Sequence, residues 1–356
     1  MMKKYMSFRW FTSFILVLGL SLVIVGCGSN GSENAEKKSG NNGKVANGDP
    51  IDLKLATNNT QTSWYQFSSA LAEVLKKTSP PINLEVLPIA GGTGNVELID
   101  QGEADFALVH NVASKWAYEG TVAFDKKYEN LRGLVGGIND YYVGIIARTD
   151  FLKKNNIDSL ADIKEKKIPV RVITNPVGTL AEYSTRLTLE AYGLDYDMIK
   201  DFGGSVELTS NDVIKSSFQN GQADIHILVM TKAHPVITEL ALSTDITVMA
   251  MEDDIMTSLQ EYGFENDTYP SGQFKGQDYD VNTVGFVASY ITDKDMDEEV
   301  AYTITKAINE NKEALVQGHS SVKDFDPSKA ADENLTGVPL HPGAQRYYEE
   351  VGVLKK

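Results

Sequence analysis

Residues 102–109 read Gly-Glu-Ala-Asp-Phe-Ala-Leu-Val, and residues 221–229 read Gly-Gln-Ala-Asp-Ile-His-Ile-Leu-Val. Each Gly-x-Ala-Asp element opens a short apolar run of strand character, and the two stand 119 residues apart. Upstream of each lies the same order of parts: a strand, a polar turn and an amphipathic helix. Leu53–Thr57 leads into a helix over Trp64–Lys77, and Val170–Thr174 into one over Leu180–Ala191. In the first helix Trp64, Phe67, Ala70, Leu71, Val74 and Leu75 recur at helical spacing. Ser63-Trp64-Tyr65-Gln66 and Thr179-Leu180-Ala181-Glu182 both fit a capping box at the helix start. The chain therefore reads as two copies of one α/β lobe.

A second echo joins the copies. Val143-Gly144-Ile145-Ile146-Ala147 and Val284-Gly285-Phe286-Val287-Ala288 read as buried strands that cross between the lobes. Helix is expected over Asp297–Val316, where Val300, Ile304, Ala307, Ile308 and Leu315 form an apolar stripe, and again from about Pro342. The boundaries that follow are 51–140 plus 285–356 for the first lobe and 141–284 for the second. Parallel αβ units place their polar turns at the carboxyl ends of the strands. Four turns are thus expected to converge on a cleft between the lobes: Asn58–Ser63, Gly91–Asn95, Asn175–Thr179 and Leu208–Asn211. Each runs into a helix N-terminus, where free N–H groups and the helix dipole favour an anion, so a small carboxylate suits the cleft.

The first 50 residues have a different character. Lys3, Lys4 and Arg9 precede an apolar run from Phe11 to Val25, which ends in Leu22-Val23-Ile24-Val25-Gly26-Cys27. This is a secretory signal of the bacterial lipoprotein kind over residues 1–26, with Cys27 as the acylated N-terminus. The run of about 15 apolar residues falls short of the roughly 20 needed to span a bilayer. Residues 27–50 are dominated by Gly, Ser, Asn, Lys and Glu and are expected to form a disordered tether.

Composition narrows the chemistry. The formal charge is −16, and removing the signal takes it to about −19, which disfavours nucleic acid and anionic membrane faces as partners. Cys27 is the only cysteine, so the folded part has no disulfide, thiol nucleophile or cysteine zinc site. The five histidines form no His-Glu-x-x-His, and Gly-x-Ser-x-Gly and Walker sequences are absent. Gly91-Gly92-Thr93-Gly94 lacks the third glycine of a dinucleotide fingerprint and reads as a ligand-cradling turn. The expectation is a binding protein without catalysis, cofactor or metal. Asp105 and Asp224 read as turn or cap residues, and Arg148, Arg171 and Arg186 are the candidate counter-charges for an anion.

From Leu53 onward the chain resembles the TAXI family of solute-binding receptors for tripartite (TRAP) transporters. Ala56–Tyr65 occupies the family's strand, Gly-rich turn and Tyr-Tyr helix start, with side chains in place of its glycines. Asn95 precedes Gly102-Glu103-Ala104-Asp105 by seven residues as in the family, and the following strand ends in a polar residue, His110. Val177-Gly178-Thr179 partly keeps a Gly-Ser-Gly-Thr turn, with Val177 where a serine is usual. Gly276–Gly285 and Pro339-Leu340-His341-Pro342-Gly343-Ala344 match later signatures. The resemblance implies a two-lobed periplasmic-binding-protein-like fold of type II with two hinge strands. It also implies a TRAP permease as partner for a small anionic or zwitterionic solute, with glutamate or a dicarboxylate the leading class. Together with the lipid on Cys27 it suggests the outer membrane face of a Gram-positive cell. The residues expected to bind the solute are Asn58, Thr60, Thr62, Ser63 and Tyr65 from the first turn, and Gly92, Thr93 and Asn95 from the second. His110 at a strand end and Asn175, Gly178 and Thr179 in the other lobe complete the set. A lipoprotein presenting ligand to a signalling receptor, and an extracytoplasmic enzyme, are the alternatives.

Overall fold

The computed structural model describes residues 49–60, 62–89 and 91–355. The signal, the Cys27 lipidation site and nearly all of the tether lie outside the described residues. The first copy runs β1 (Ile51–Ala56), α1 (Ser63–Leu75), β2 (Ile82–Leu87), α2 (Gly94–Asp100), β3 (Phe106–His110), α3 (Asn111–Glu119) and β4 (Leu131–Val135). The chain then enters β5 (Asp140–Arg148), α4 (Thr149–Asn155) and α5 (Leu160–Lys166). The second copy is β6 (Arg171–Thr174), α6 (Leu180–Ala191), α7 (Tyr196–Asp201), β7 (Ser205–Leu208), α8 (Asn211–Gln219), β8 (Ile225–Met230) and α9 (Pro235–Ser243). After it come β9 (Ile246–Met249), α10 (Asp253–Leu259), β10 (Glu265–Tyr269) and β11 (Val281–Asp293). The chain closes with α11 (Glu298–Glu310), α12 (Lys312–Gly318), α13 (Glu333–Thr336) and α14 (Pro342–Glu350).

Strand pairing repeats the sequence duplication. β1 lies parallel to both β2 and β3, and β6 lies parallel to both β7 and β8. The next neighbour is antiparallel in each case, β11 beside β3 and β5 beside β8. The two Gly-x-Ala-Asp aspartates do the same work. The backbone N–H of Asp105 donates to Lys54 O and its carboxylate accepts from Lys54 N–H; Asp224 makes the same pair of bonds with Arg171. Each therefore pins the start of one parallel strand to its neighbour, as expected of a turn residue.

The long strand β11 belongs to both halves. Val281–Val287 pairs with β10 and β5, whereas Ala288–Asp293 pairs with β3 and β4. The second crossing is the segment 136–139 between β4 and β5, where Gly137 takes the left-handed φ of +71° and Gly136 is so close to Leu335 that an added Cβ would meet it at 2.7 Å. The expectation for Val284–Ala288 agrees with this. That for Val143–Ala147 needs correction: these residues lie inside one sheet, between β8 and β9, and the crossing falls just upstream. The result is a two-lobed α/β fold. One apolar core, including Trp116, Val143, Leu187 and Phe286, continues through the junction, and separate clusters around Phe67 and Phe218 fill the outer faces.

Local chemistry adjusts three helix boundaries. The N-cap of α1 is Thr62, one residue before the expected Ser63. The predicted helix over 297–316 breaks at Asn311, whose φ of −121° leaves the helical region while its amide donates to Ala307 O at 2.9 Å. Pro342 occupies the first turn of α14, where its missing N–H costs no hydrogen bond.

Candidate functional site

The polar turns meet in pairs. Next to β1, Asn58 Oδ1 accepts from Asn59 N–H at 2.8 Å, and its side chain packs on the 91–94 turn so tightly that a Cβ on Gly91 would sit 2.8 Å from the amide. Gly91 and Gly92 both adopt left-handed φ, +71° and +68°, which leaves bare backbone at this point. Next to β6, Asn175 Nδ2 donates to Asn211 Oδ1 at 2.8 Å, joining the 175–179 and 208–211 turns. Gly178 at φ +85° is exposed with open space around it.

Several expected ligand residues spend their polar atoms on the protein itself. Asn95 is 1% exposed, and its amide donates to Thr57 O at 2.9 Å and Leu108 O at 2.8 Å. Both hydrogens are taken, leaving none for the expected donation to a guest: the amide ties the end of β1 to the middle of β3. Thr179 caps α6, accepting from Glu182 N–H at 3.2 Å and donating to Pro176 O at 2.7 Å. Its single hydroxyl hydrogen is used, and its expected donor role gives way to a cap. Thr62 likewise donates to Asn59 O at 2.8 Å and caps α1. Thr60 is exposed, while Ser63, Tyr65, Gly92 and Thr93 are half-buried in the same two turns.

His110 has a different environment. It ends β3 at the junction of the lobes, packed against Trp64 at 4.8 Å, Tyr141 at 4.6 Å and Phe286 at 5.3 Å between ring centroids. Tyr141 and Phe286 stack nearly parallel, and Trp64 Nε1 donates to the Tyr141 hydroxyl at 2.8 Å. Burial among these rings pushes the His110 pKa down to about 3, so the imidazole is neutral at physiological pH. Both ring nitrogens are buried without a hydrogen-bond partner. The same holds for both polar atoms of Asn139, a residue only 3% exposed that sequence reasoning missed. Such groups are rare in folded proteins because each costs about 1–3 kcal/mol when left unpaired.

A family model described as the NMT1-like family matches residues 55–352. The chain belongs to the NMT1-like family. Several solved structures share its course at low identity. MatC from Rhodopseudomonas palustris with bound malate is 13% identical, with 85% of this chain and 97% of that one covered at a TM-score of 0.49. XAC2383 from Xanthomonas citri bound to ATP is 13% identical, covering 85% and 96% at 0.48. The periplasmic aliphatic sulphonate binding protein SsuA from Escherichia coli is 11% identical, covering 84% and 79% at 0.43. Likeness of this degree assigns no ligand to the NMT1-like chain.

Electrostatics narrow what the NMT1-like site can neutralise. Arg148 is held by Asp150 and Phe218 O, and Arg171 by Asp224 and Gly221 O. Arg186 lies against Glu182 and Glu190 at 3.8 and 3.9 Å. The remaining described arginines, Arg132 and Arg346, engage backbone carbonyls and Glu298 with Glu299. All three candidate counter-charges are thus committed elsewhere. Of the helices expected to point at the cleft, α1 has no acidic residue in its first turn, whereas α6 carries Glu182 and α8 carries Asp212. Among the described residues no group of three or more His, Cys, Asp or Glu side chains is placed to hold a metal.

The lobes also touch away from His110. Trp116 Nε1 donates to Tyr262 O at 2.8 Å and its ring meets Tyr183 at 6.0 Å, while Lys232 bridges Asp324 at 2.9 Å and Asp140 at 3.5 Å. Cavities of about 500 Å³ beside β9 and about 700 Å³ between α3 and α13 are lined by none of the expected ligand residues. Signals for the surroundings of His110 were partial: Asn139 lies in Gly136-Gly137-Ile138-Asn139-Asp140-Tyr141, which reads as a turn, and Phe286 lies in the echoed strand.

Proposed function

We propose that this chain is an extracytoplasmic solute-binding receptor of the TAXI type. It captures a small organic acid or amino acid between its lobes and delivers it, without chemistry, to a TRAP permease. In this reading residues 51–140 plus 285–356 and residues 141–284 move as the two lobes, and Cys27 carries the lipid that holds the protein to the outer face of the membrane. The observation that carries it is the buried, unpartnered imidazole of His110, at the point where both crossings meet and beside the start of α1. A guest there would supply the missing hydrogen bonds while its carboxylate faces the N-terminus of α1. Compounds with the carbon skeleton of glutamate and four- or five-carbon dicarboxylates are the first to test.

A thermal-shift screen of amino acids and organic acids on the full-length protein in detergent tests the reading. A true ligand at a hundred times its dissociation constant adds about 2.7 kcal/mol to stability. If no small acid or amino acid raises the unfolding temperature at millimolar concentration, the receptor reading fails.

A further inference from the structure

Two buried side chains at the lobe junction are short of hydrogen-bond partners, and they are neighbours: both ring nitrogens of His110 are unpaired, and the Asn139 amide has only the Tyr141 hydroxyl beside it. His110 is the β3 partner of Ala288, while Asn139 O accepts from Ala288 N–H at 3.0 Å on the other side of β11. Tyr141 touches both: its ring meets His110 edge-on at 4.6 Å, and its hydroxyl lies beside the Asn139 amide. Trp64 and Phe286 close the remaining sides of the imidazole. A packed core that merely needed filling would place an apolar residue at position 139, because an unpaired buried amide destabilises the fold.

The chemistry of the two groups restricts what can satisfy them. A neutral imidazole offers one N–H donor and one nitrogen acceptor, and a carboxamide offers both kinds. Their complement must therefore donate and accept at once. A carboxylate only accepts, and no described arginine is left to neutralise it, each being committed elsewhere. An ammonium only donates. A carboxamide or an alcohol meets both requirements and carries no charge to desolvate.

We propose that His110 and Asn139 form a subsite that reads a neutral donor–acceptor group, a carboxamide or alcohol, at the end of the solute remote from its carboxylate. The inference rests on the solute-receptor reading and refines it. It selects the monoamide of a glutamate-like or dicarboxylate skeleton over the diacid.

The test is calorimetric titration of the full-length protein in detergent with two matched pairs, glutamine against glutamate and succinamate against succinate. The expected result is an amide bound at least tenfold more tightly than its acid in one pair or both. Asn139→Ala should weaken that amide at least tenfold and erase the preference. Because Asn139→Ala can disturb folding, ¹⁵N-histidine NMR of the unmodified protein provides a second readout, in which the saturating amide should shift the His110 ring nitrogens. Acids bound as tightly as their amides in both pairs, a preference that survives Asn139→Ala, or ring signals that ignore the amide would overturn the subsite. The last outcome would leave the pair holding a structural water. If none of the four binds but another small acid does, the subsite falls and the receptor reading stands; if no solute binds at all, the receptor reading itself falls.

Discussion

Asn95 sits at the start of α2, just after a turn where a side chain pointing outward would meet a ligand, yet its amide turns inward to Thr57 O and Leu108 O. Sequence cannot distinguish these orientations, because asparagine and threonine are favoured both at ligand-cradling turns and where backbone groups need a local partner. Thr179 presents the same ambiguity and resolves it as a cap. Asn95→Ala removes two buried hydrogen bonds to backbone carbonyls and should cost about 1–3 kcal/mol of folding stability. Thr179→Ala should cost about 1 kcal/mol. With a ligand in hand, denaturant unfolding of the free protein and titration of the folded protein separate stability from affinity. Both variants should lose the first and keep the second within a factor of two or three. Loss of affinity at unchanged stability would return both residues to the binding site. The buried histidines add a pH dependence of defined sign. Burial lowers the pKa of His110 to about 3 and of His226 and His234 to about 4, against about 6.5 in the unfolded chain. As pH falls below about 6.5 the unfolded chain takes up protons that the native state refuses, so stability is full above that value and declines toward about pH 4. Each histidine contributes a slope of about 1.4 kcal/mol per pH unit within the window. Denaturant midpoints should be flat above about pH 7 and fall steadily below 6; a midpoint unchanged down to about pH 5 would contradict the burial of these rings.

At the scale of elements, what the sequence made legible was repetition. The Gly-x-Ala-Asp echo predicted matching strand triplets, and β1, β2, β3 and β6, β7, β8 pair alike down to the hydrogen bonds of Asp105 and Asp224. The crossings were only half legible. Val143–Ala147 and Val284–Ala288 carry the same apolar pattern because both strands are covered by neighbours. An apolar run reports burial and says nothing of which sheet buries it. The true first crossing, 136–139, has no strand pattern, and its glycines signal only a turn. Asn139 escaped notice for that reason, since a lone asparagine after Gly-Gly-Ile reads as a turn residue. His110 stood out as a candidate because it ends a strand at its carboxyl edge, where αβ folds place their ligands.

At the scale of the whole molecule, we propose that the two chain crossings near Gly136–Asn139 and Val287–Ala288 let the lobes rotate while restricting their translation. Both crossings flank His110, so a rotation about them would act on its aromatic surroundings. Lys232, which follows β8, reaches Asp324 beside the outer core of the other half, and this ion pair spans the gap that opening would widen. Both side chains are more than a third exposed, so the contact is worth no more than about 1 kcal/mol. Even that is enough to shift an open–closed equilibrium about fivefold. Lys232→Met should therefore enlarge the radius of gyration of the ligand-free protein in solution scattering and weaken ligand binding by up to about fivefold, with folding stability changed by less than about 1 kcal/mol. Ligand should compact both proteins to the same final size, because the guest's contacts replace the ion pair as the closing force. If the free and saturated forms scatter identically in the unmodified protein and in the variant, the lobes are fixed and the solute must enter by another route.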